Sequence, residues 1–282
     1  MKPQFQHEVT TSFSLWMDNY LLTKGEAFKN YTTSLTYSVD SRLASGLNAF
    51  SSPYKQWVFD QSIAGANVPS SISINGVDTP RSNDLIIDFQ NGRAISTTAS
   101  ATDSIEASYS VKDFNIYVTN ETEENLIIES KFDVNSRFKQ DETAIPPYDQ
   151  VVPAIFINNE RNINDPFALG GEDKTVTDIR CVVMAENMFQ LDGVLSIFND
   201  SAREAFAALA FEDYPLNEFG DAIDFNYKTL ITDRLEKNPA ALHYIERVDV
   251  SKLSDRITKK IDSNTFVGFI DFEVITYRYP RI

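Results

Sequence analysis

The chain has 282 residues, a formal net charge of −16 at pH 7 and a hydrophobic fraction of 42%. That much apolar side chain excludes global disorder, because its burial offsets the entropy lost on folding. The excess of carboxylates over Lys and Arg excludes nucleic-acid binding driven by counterion release, since carboxylates repel phosphates. The length favours two modest domains over one large domain.

The sequence shows neither a membrane span nor a signal peptide. No run of about 18 apolar residues occurs, and residues 1–8 lack the apolar core of a secretory signal. We therefore expect a protein that is made in the cytoplasm and does not contact membranes. The single cysteine, Cys181, lies in the apolar run 179–184, which predicts a buried free thiol.

An N-terminal helix with an aromatic face is the first strong local signal. Its apolar residues follow the i, i+3, i+4, i+7, i+8 spacing of one helix face. They are Phe13, Trp16, Met17, Tyr20 and Leu21. A residue at 10–12 is expected to cap the start of the helix, and Gly25 to end it. The aromatic face packs either on its own domain or on a partner, and the sequence leaves both open.

A sheet-rich module follows this helix. Residues 31–39 alternate between apolar and polar, as a half-buried strand requires. Asn91-Gly92 predicts a two-residue hairpin turn, and residues 96–104 predict an exposed loop. The short, regularly spaced strands favour a sandwich or a barrel. The predicted strands are residues 31–39, 54–60, 71–75, 85–89, 109–119 and 125–134.

Prolines mark the end of this module. Pro146, Pro147 and Pro153 interrupt any regular element, because proline lacks the backbone donor and fixes φ. We therefore predict a β-rich module with a short N-terminal helix at 1–145 and an α+β module at 146–282.

The second module is predicted to mix strands with helices. Strands are expected at residues 154–157, 175–184 and 267–279, and helices at 187–198 and 201–211, while residues 233–250 fit either state. The predicted fold class is α+β, with the sandwich-like or barrel-like β-rich module first.

Motifs for catalysis, cofactors and metals are not apparent. His7 and His243 lack neighbouring His or Cys ligands, and no nucleophile elbow or phosphate-binding glycine loop occurs. We expect no catalytic residue, no cofactor and no metal, with His7 in solvent and His243 on a helix or at the surface. The acidic clusters are expected to be solvated faces. They are Glu121, Glu123 and Glu124, and Asp213, Glu218, Asp221 and Asp224.

Several short segments resemble structural proteins of tailed-bacteriophage virions that occupy the neck or the adjoining tail end. The segments are residues 14–22 (SLWMDNYLL), 52–58 (SPYKQWV), 87–93 (IDFQNGR), 112–117 (KDFNIY), 166–171 (PFALGG) and 190–198 (QLDGVLSIF).

The order strand, helix, late strand over residues 175–279 also looks like the α+β fold of tail terminators. That resemblance implies a ring, hexameric in this family, which caps the tail tube and contacts neighbours such as connector, tube or sheath proteins. It implies a virion location after synthesis in the host cytoplasm, and no catalytic residues. A β-rich first half departs from a minimal terminator, which favours a larger neck or terminator protein with an added outward-facing module.

Nine side chains are predicted to form contacts between subunits. The final strand is apolar on both faces, which fits either a central strand or a strand that faces another subunit. The candidates are Phe13, Trp16, Tyr20, Leu191, Leu195, Phe198, Phe269, Ile275 and Tyr277.

Two other classes of function remain open at this point. A carbohydrate-binding tail, adhesin or baseplate protein would use exposed Tyr and Trp side chains of the β-rich half. A hydrolase would need a cleft with two facing carboxylates, one of them with a raised pKa.

Overall fold

The structure is a computed structural model that describes residues 5–40, 43–119, 122–127, 153–166, 171–215, 223–254 and 265–278. It mixes helices with strands and is rich in strand, at 45% strand and 22% helix. One sheet curls into a nearly closed barrel and the other into half a barrel. The strand-rich mixed class is therefore confirmed, while the tail-terminator-like character of the second module stays a prediction.

The first sheet lies in the N-terminal part of the chain and is antiparallel. Its strands are β1 (Phe28–Ser38), β2 (Asn48–Ser51), β3 (Ser71–Ile74), β4 (Val77–Pro80), β5 (Leu85–Asp88), β6 (Arg93–Ser96) and β7 (Ile105–Lys112). Their spatial order is β4-β3-β7-β1-β2-β6-β5.

The second sheet collects strands from both halves of the chain. Its strands are β8 (Asn115–Val118), β9 (Ala154–Pro166), β10 (Asp173–Ala185), β11 (Ala205–Ala207), β12 (Leu242–Lys252) and β13 (Phe266–Arg278), in the order β11-β12-β13-β10-β9-β8. The helices are α1 (Phe5–Lys24), α2 (Glu123–Ile127), α3 (Met188–Asn199) and α4 (Tyr227–Lys237).

The main core lies between this second sheet and the helices α1 and α3. Phe13 of α1 sits 4.9 Å from Phe272 of β13 between ring centroids, and Trp16 stacks on Phe206 at 5.6 Å. Phe198 of α3 belongs to the same cluster and is fully buried. The aromatic face of α1 thus packs on its own chain, the first of the two alternatives left open by the sequence.

Helix α1 confirms the predicted helix but begins earlier than predicted. Residues 10–12 lie within it and do not cap its start, because the helix already includes Phe5. Ser12 instead accepts a hydrogen bond from the backbone N–H of Leu209, at 3.0 Å. The end at Gly25 is confirmed: its N–H donates to the carbonyl of Leu21 at 2.9 Å.

In the first sheet, β1, β3 and β5 confirm three predicted strands. The predicted strand at 54–60 is wrong: it holds only single bridges, at Tyr54, Trp57 and Asp60, and a positive φ at Gln56 interrupts the extended backbone. The predicted strand at 109–119 is in fact two, β7 and β8, which belong to different sheets. The predicted strand at 125–134 begins within helix α2, and its remainder lies outside the described residues. Strands β2, β4 and β6 were not predicted.

The predicted two-residue hairpin at Asn91-Gly92 is also wrong. Asp88 pairs with Arg93, so the loop between β5 and β6 has the four residues 89–92. The two-residue hairpin occurs instead at Asn75-Gly76, where both residues have the positive φ of a type I′ turn, 53° and 80°.

In the second half, β9, β10, β13 and α3 confirm the predicted elements, although Tyr279 lies outside the described residues. The side chain of Asn187 caps α3 by accepting the N–H of Gln190 at 2.9 Å. The predicted helix at 201–211 is wrong, because this segment contains β11 and a positive φ at Arg203. The ambiguous residues 233–250 hold the end of α4 and most of β12.

The two sheets do not divide the chain at the predicted boundary. That boundary, between residues 145 and 146, lies outside the described residues. Helix α1 and strand β8 come before it, yet both pack with the second sheet. The chain passes from the first sheet to the second between Lys112 and Asn115.

Trp57 is the central side chain of the first sheet's core. It is fully buried, stacks on Tyr109 at 4.1 Å, and donates its indole N–H to the carbonyl of Tyr54 at 3.1 Å. We expect Trp57→Ala to lower the free energy of unfolding by about 3–5 kcal/mol, measured by denaturant titration. An unchanged free energy of unfolding would contradict the central role of Trp57 in this core.

Two glycine-to-alanine substitutions distinguish backbone strain in the folded chain from reduced flexibility of the unfolded chain. Gly92 has φ +62°, and a Cβ there would collide with the carbonyl oxygen of Tyr54, whereas a Cβ at the exposed Gly193 of α3 meets nothing within 4 Å. We expect Gly92→Ala to destabilise the fold by more than about 1 kcal/mol. Gly193→Ala, the matched control, should stabilise it by about 0.5–1 kcal/mol. Equal melting temperatures for the two variants would contradict this.

Candidate functional site

A buried ion pair joins the two sheets. The Nζ of Lys112, at the end of β7, lies 2.7 Å from both carboxylate oxygens of Asp18 on α1. The same ammonium sits 3.9 Å above the ring of Phe59. Both charged side chains are buried, so the pair is shielded from water.

A second buried carboxylate, Asp60, lies beside this pair and is saturated with donors. One oxygen accepts the backbone N–H groups of Ser62 at 2.8 Å and Tyr227 at 3.0 Å. The other accepts the amide of Asn19 at 2.7 Å and the hydroxyl of Ser62 at 3.0 Å. Because Tyr227 is the first residue of α4, Asp60 satisfies an N–H that the helix itself leaves unpaired.

Burial raises the pKa of Asp18, against the opposing effect of the Lys112 ammonium, and Asp60 raises it slightly further. Two neighbouring acids with one raised pKa meet part of the description of a hydrolytic pair. However, Asp18 and Asp60 are buried, and their oxygens are engaged by protein donors. This buried charge cluster, Asp18, Lys112 and Asp60, is therefore built to hold elements together and offers no open carboxylate to a substrate.

The two histidines and the cysteine lie on three different elements, α1, β12 and β10. The prediction for His243 is wrong: it lies on β12, fully buried, where burial and then Arg278 lower its pKa to about 4. His7 is exposed on α1, as predicted. Cys181 is confirmed as a buried free thiol, and burial raises its pKa.

Members of the predicted acidic faces form ion pairs. Glu123 pairs with Arg180 on β10, and Asp224 with Arg81. Glu121, Glu218 and Asp221 lie outside the described residues. Among the residues that the structure describes, no group of three or more His, Cys, Asp and Glu is arranged to hold a metal ion. Within the same ranges, no helix is long and apolar enough to cross a bilayer.

The side of the second sheet that faces away from α1 and α3, which we call the outer face, carries the candidate interaction surface. Successive residues of a strand alternate between the two sides of a sheet. In β13, Ile270 and Phe272 point to the helices, so Phe269 and Ile275 belong to the outer face. Around Phe269 this face is covered by Leu126 of α2.

At its other end, the outer face carries an apolar row that crosses five strands. The pairing register places Ala205 beside Tyr244, Tyr244 beside Ile275, Ile275 beside Val176, and Val176 beside Ile163. At about 4.8 Å between strands, these five residues, the apolar row, extend for about 19 Å.

The apolar row is partly exposed. Tyr244 is 41% exposed and Ile275 only 3%. The neighbouring Tyr277, 38% exposed, lies on the same face, with its ring centroid 6.3 Å from that of Tyr244. A continuous apolar strip on a sheet face is typical of surfaces that other proteins cover.

Charged side chains flank the apolar row on both sides. On one side, Arg247, Glu273, Asp178 and Arg161 stand in line across four strands, and Arg161 pairs with Asp178 at 2.7 Å. On the other side, Lys174 lies beside Asp165. The row is thus apolar in the middle and charged at its rims, as protein–protein interfaces commonly are.

Tyr277 is the only one of the nine interface candidates with an exposed side chain; the other eight are buried within the chain. On the helices these buried candidates are Phe13, Trp16, Tyr20, Leu191, Leu195 and Phe198, and on β13 they are Phe269 and Ile275. Ile275 and Tyr277 nevertheless lie in or next to the apolar row.

The other members of the apolar row were not predicted from the sequence. Tyr244 lies in the segment whose secondary structure was ambiguous, and Ala205 in the segment predicted as a helix. Val176 lies in the predicted strand at 175–184, between Thr175 and Thr177, and this alternation of polar and apolar residues is a usable signal for a half-buried strand. In the structure the two threonines are the buried side chains. Their assembly into one row depends on strand register, which alternation within a single strand does not reveal.

Comparison with protein-family models finds no match, and comparison with curated proteins finds no significant match.

The buried ion pair can be tested by removing one or both charges. We expect Lys112→Met to lower the free energy of unfolding by about 3–5 kcal/mol, because it leaves the Asp18 carboxylate buried without its cation. In the double variant D18L/K112M, stability should return to within about 1 kcal/mol of the wild type.

Denaturant titration measures both effects. Arg161→Met, which removes an ion pair whose arginine side chain is 63% exposed, is the matched control and should change stability by less than about 1 kcal/mol. Equal losses for Lys112→Met and Arg161→Met would show that the Asp18–Lys112 pair is solvated.

Proposed function

We propose that this chain is a structural protein of a tailed-bacteriophage virion, located at the head-to-tail neck or the tail end and working in a tail-terminator-like ring. The observation that carries the assembly role is the apolar row, because a partly exposed apolar strip that crosses five strands of a sheet is suited to contact with another protein. The virion position rests on the resemblance of the sequence segments.

The charge of the chain supports a ring through which DNA passes. With a net charge of −16, the surface repels the phosphate backbone and does not retain it. The long pairing of β10 with β13, thirteen residues from Asp173–Arg278 to Ala185–Phe266, gives the ring subunit a stiff central element.

No observation favours the carbohydrate-binding alternative. That hypothesis relied on exposed aromatic side chains in the β-rich half, but Trp57 there and Trp16 on α1 are both buried. Tyr37, 41% exposed, packs edge-on against the buried Phe50 of the first sheet, with ring centroids 5.8 Å apart.

A reconstruction of the assembled particle tests the proposed position. We expect the chain in a ring, most simply a hexamer, between the portal-proximal neck and the tail, with contacts to neighbouring virion proteins. A lone adhesin at the tail tip, or absence of the chain from the virion, would refute the assignment.

Assembly with a matched pair of variants tests the surface. Tyr244→Glu places a charge in the apolar row and should reduce incorporation into particles, because the buried carboxylate would lose its hydration. Tyr37→Glu, at the same 41% exposure on the other sheet, should leave incorporation unchanged.

A further inference from the structure

We propose that two copies of this chain pack face to face through the apolar row, related by a two-fold axis that runs along the row. This pairing rests on the surface used in the proposed function and names a second copy as its partner. Because a two-fold contact closes at two copies, it joins subunits of two different rings and not neighbours within one ring. Its test is separate from that of the virion position.

The first observation is that individual strands carry opposite charges on the two sides of the row. On β9, Arg161 and Asp165 flank Ile163, and on β10, Asp178 and Lys174 flank Val176. Residues two apart on a strand point to the same face and lie about 7 Å apart. Each of these strands is therefore positive on one side of the apolar row and negative on the other.

A two-fold axis along the row brings these opposite charges together. It places Arg161 opposite Asp165 of the second copy, and Asp178 opposite Lys174 of the second copy. By symmetry each contact occurs twice, which gives four attractive pairs. On β13, the same axis places Glu273 opposite Tyr277 of the second copy, so that the phenol donates to the carboxylate.

A two-fold axis parallel to the strands is disfavoured when it is centred between β13 and β10. Across β12, β13, β10 and β9, the charges on one side of the apolar row are positive, negative, negative and positive. This axis would therefore place Arg247 opposite Arg161 of the second copy and Glu273 opposite Asp178 of the second copy. Like charges in direct opposition repel across an interface. The charge pattern thus selects the axis along the row.

The size of the surface sets the expected affinity. Three rows across five strands of this curled sheet make a footprint of at most about 500 Å² per copy at ordinary strand spacing. A standard stable interface buries about 800 Å² per partner, so this dimer is expected to be weak, with a dissociation constant in the micromolar range. Such self-association is visible only in a concentration series.

The test is sedimentation velocity of the full chain from about 1 to about 100 μM, which brackets a micromolar equilibrium. The double variant R161D/D178K keeps the pair between residues 161 and 178 within the chain, with its signs exchanged, but opposes Asp to Asp and Lys to Lys across the axis. We expect it to weaken dimerisation at least about tenfold, because four attractive contacts become repulsive.

The quadruple variant R161D/D178K/D165R/K174E restores every opposite-charge contact, both within the chain and across the axis, and should dimerise like the wild type. Thermal melts confirm that all variants are folded. A wild type that stays monomeric, or a double variant that dimerises like the wild type, would overturn the proposal. A folded quadruple variant that fails to dimerise would overturn the two-fold register.

The two proposals fail separately. A chain that dimerises in this way but is absent from virions refutes only the virion assignment. A chain found in the neck that is monomeric at every concentration refutes only the pairing.

Discussion

The ion pair between Asp18 and Lys112 is the contact on which the arrangement of the two sheets depends. Helix α1 belongs to the core of the second sheet, and Lys112 ends a strand of the first. Asp60 brings α4 into the same place through the N–H of Tyr227. Because both charged side chains are buried, the pair costs desolvation energy that an apolar pair would not. It also provides a directional contact, because two 2.7 Å distances from one ammonium to the carboxylate tie α1 to the end of β7.

This position of α1 decides which surfaces a partner can reach. Its aromatic residues fill the space between the second sheet and α3, so the side of that sheet that faces the two helices is buried within the chain. The first sheet encloses its own aromatic core around Trp57. The outer face of the second sheet is different: among the described residues, α2 covers it at the end near Phe269, whereas Tyr244 and Tyr277 near its other end are exposed. The proposed assembly contact therefore lies on that other end.

Periodicity in the sequence identified the elements whose packing is simple. Helices α1 and α3 and strands β1, β10 and β13 have one regular apolar spacing and were predicted. The predicted strand at 54–60 and the predicted helix at 201–211 are wrong because one residue in each, Gln56 and Arg203, has a positive φ that interrupts the regular backbone conformation. Neither residue is glycine or asparagine, the types that most often adopt a positive φ, so the sequence did not indicate the interruption. The candidate surface was beyond prediction for another reason: its residues come from five strands, and their neighbourhood exists only once the register is known.

The final strand shows how one sequence signal can have two physical causes. Its second face is apolar at Phe269, Ile275 and Tyr277, which fitted either a central strand or a strand that faces another subunit. Strand β13 is in fact central, between β12 and β10, so a strand apolar on both sides needs no partner in order to be stable. Phe269 is covered within the chain by the cluster that includes Leu126, whereas Ile275 lies in the apolar row and Tyr277 beside it. The charged residues Asp271 and Glu273 separate these two stretches. The apolar character near Phe269 is thus explained by folding alone, and only the stretch beyond Glu273 bears on assembly.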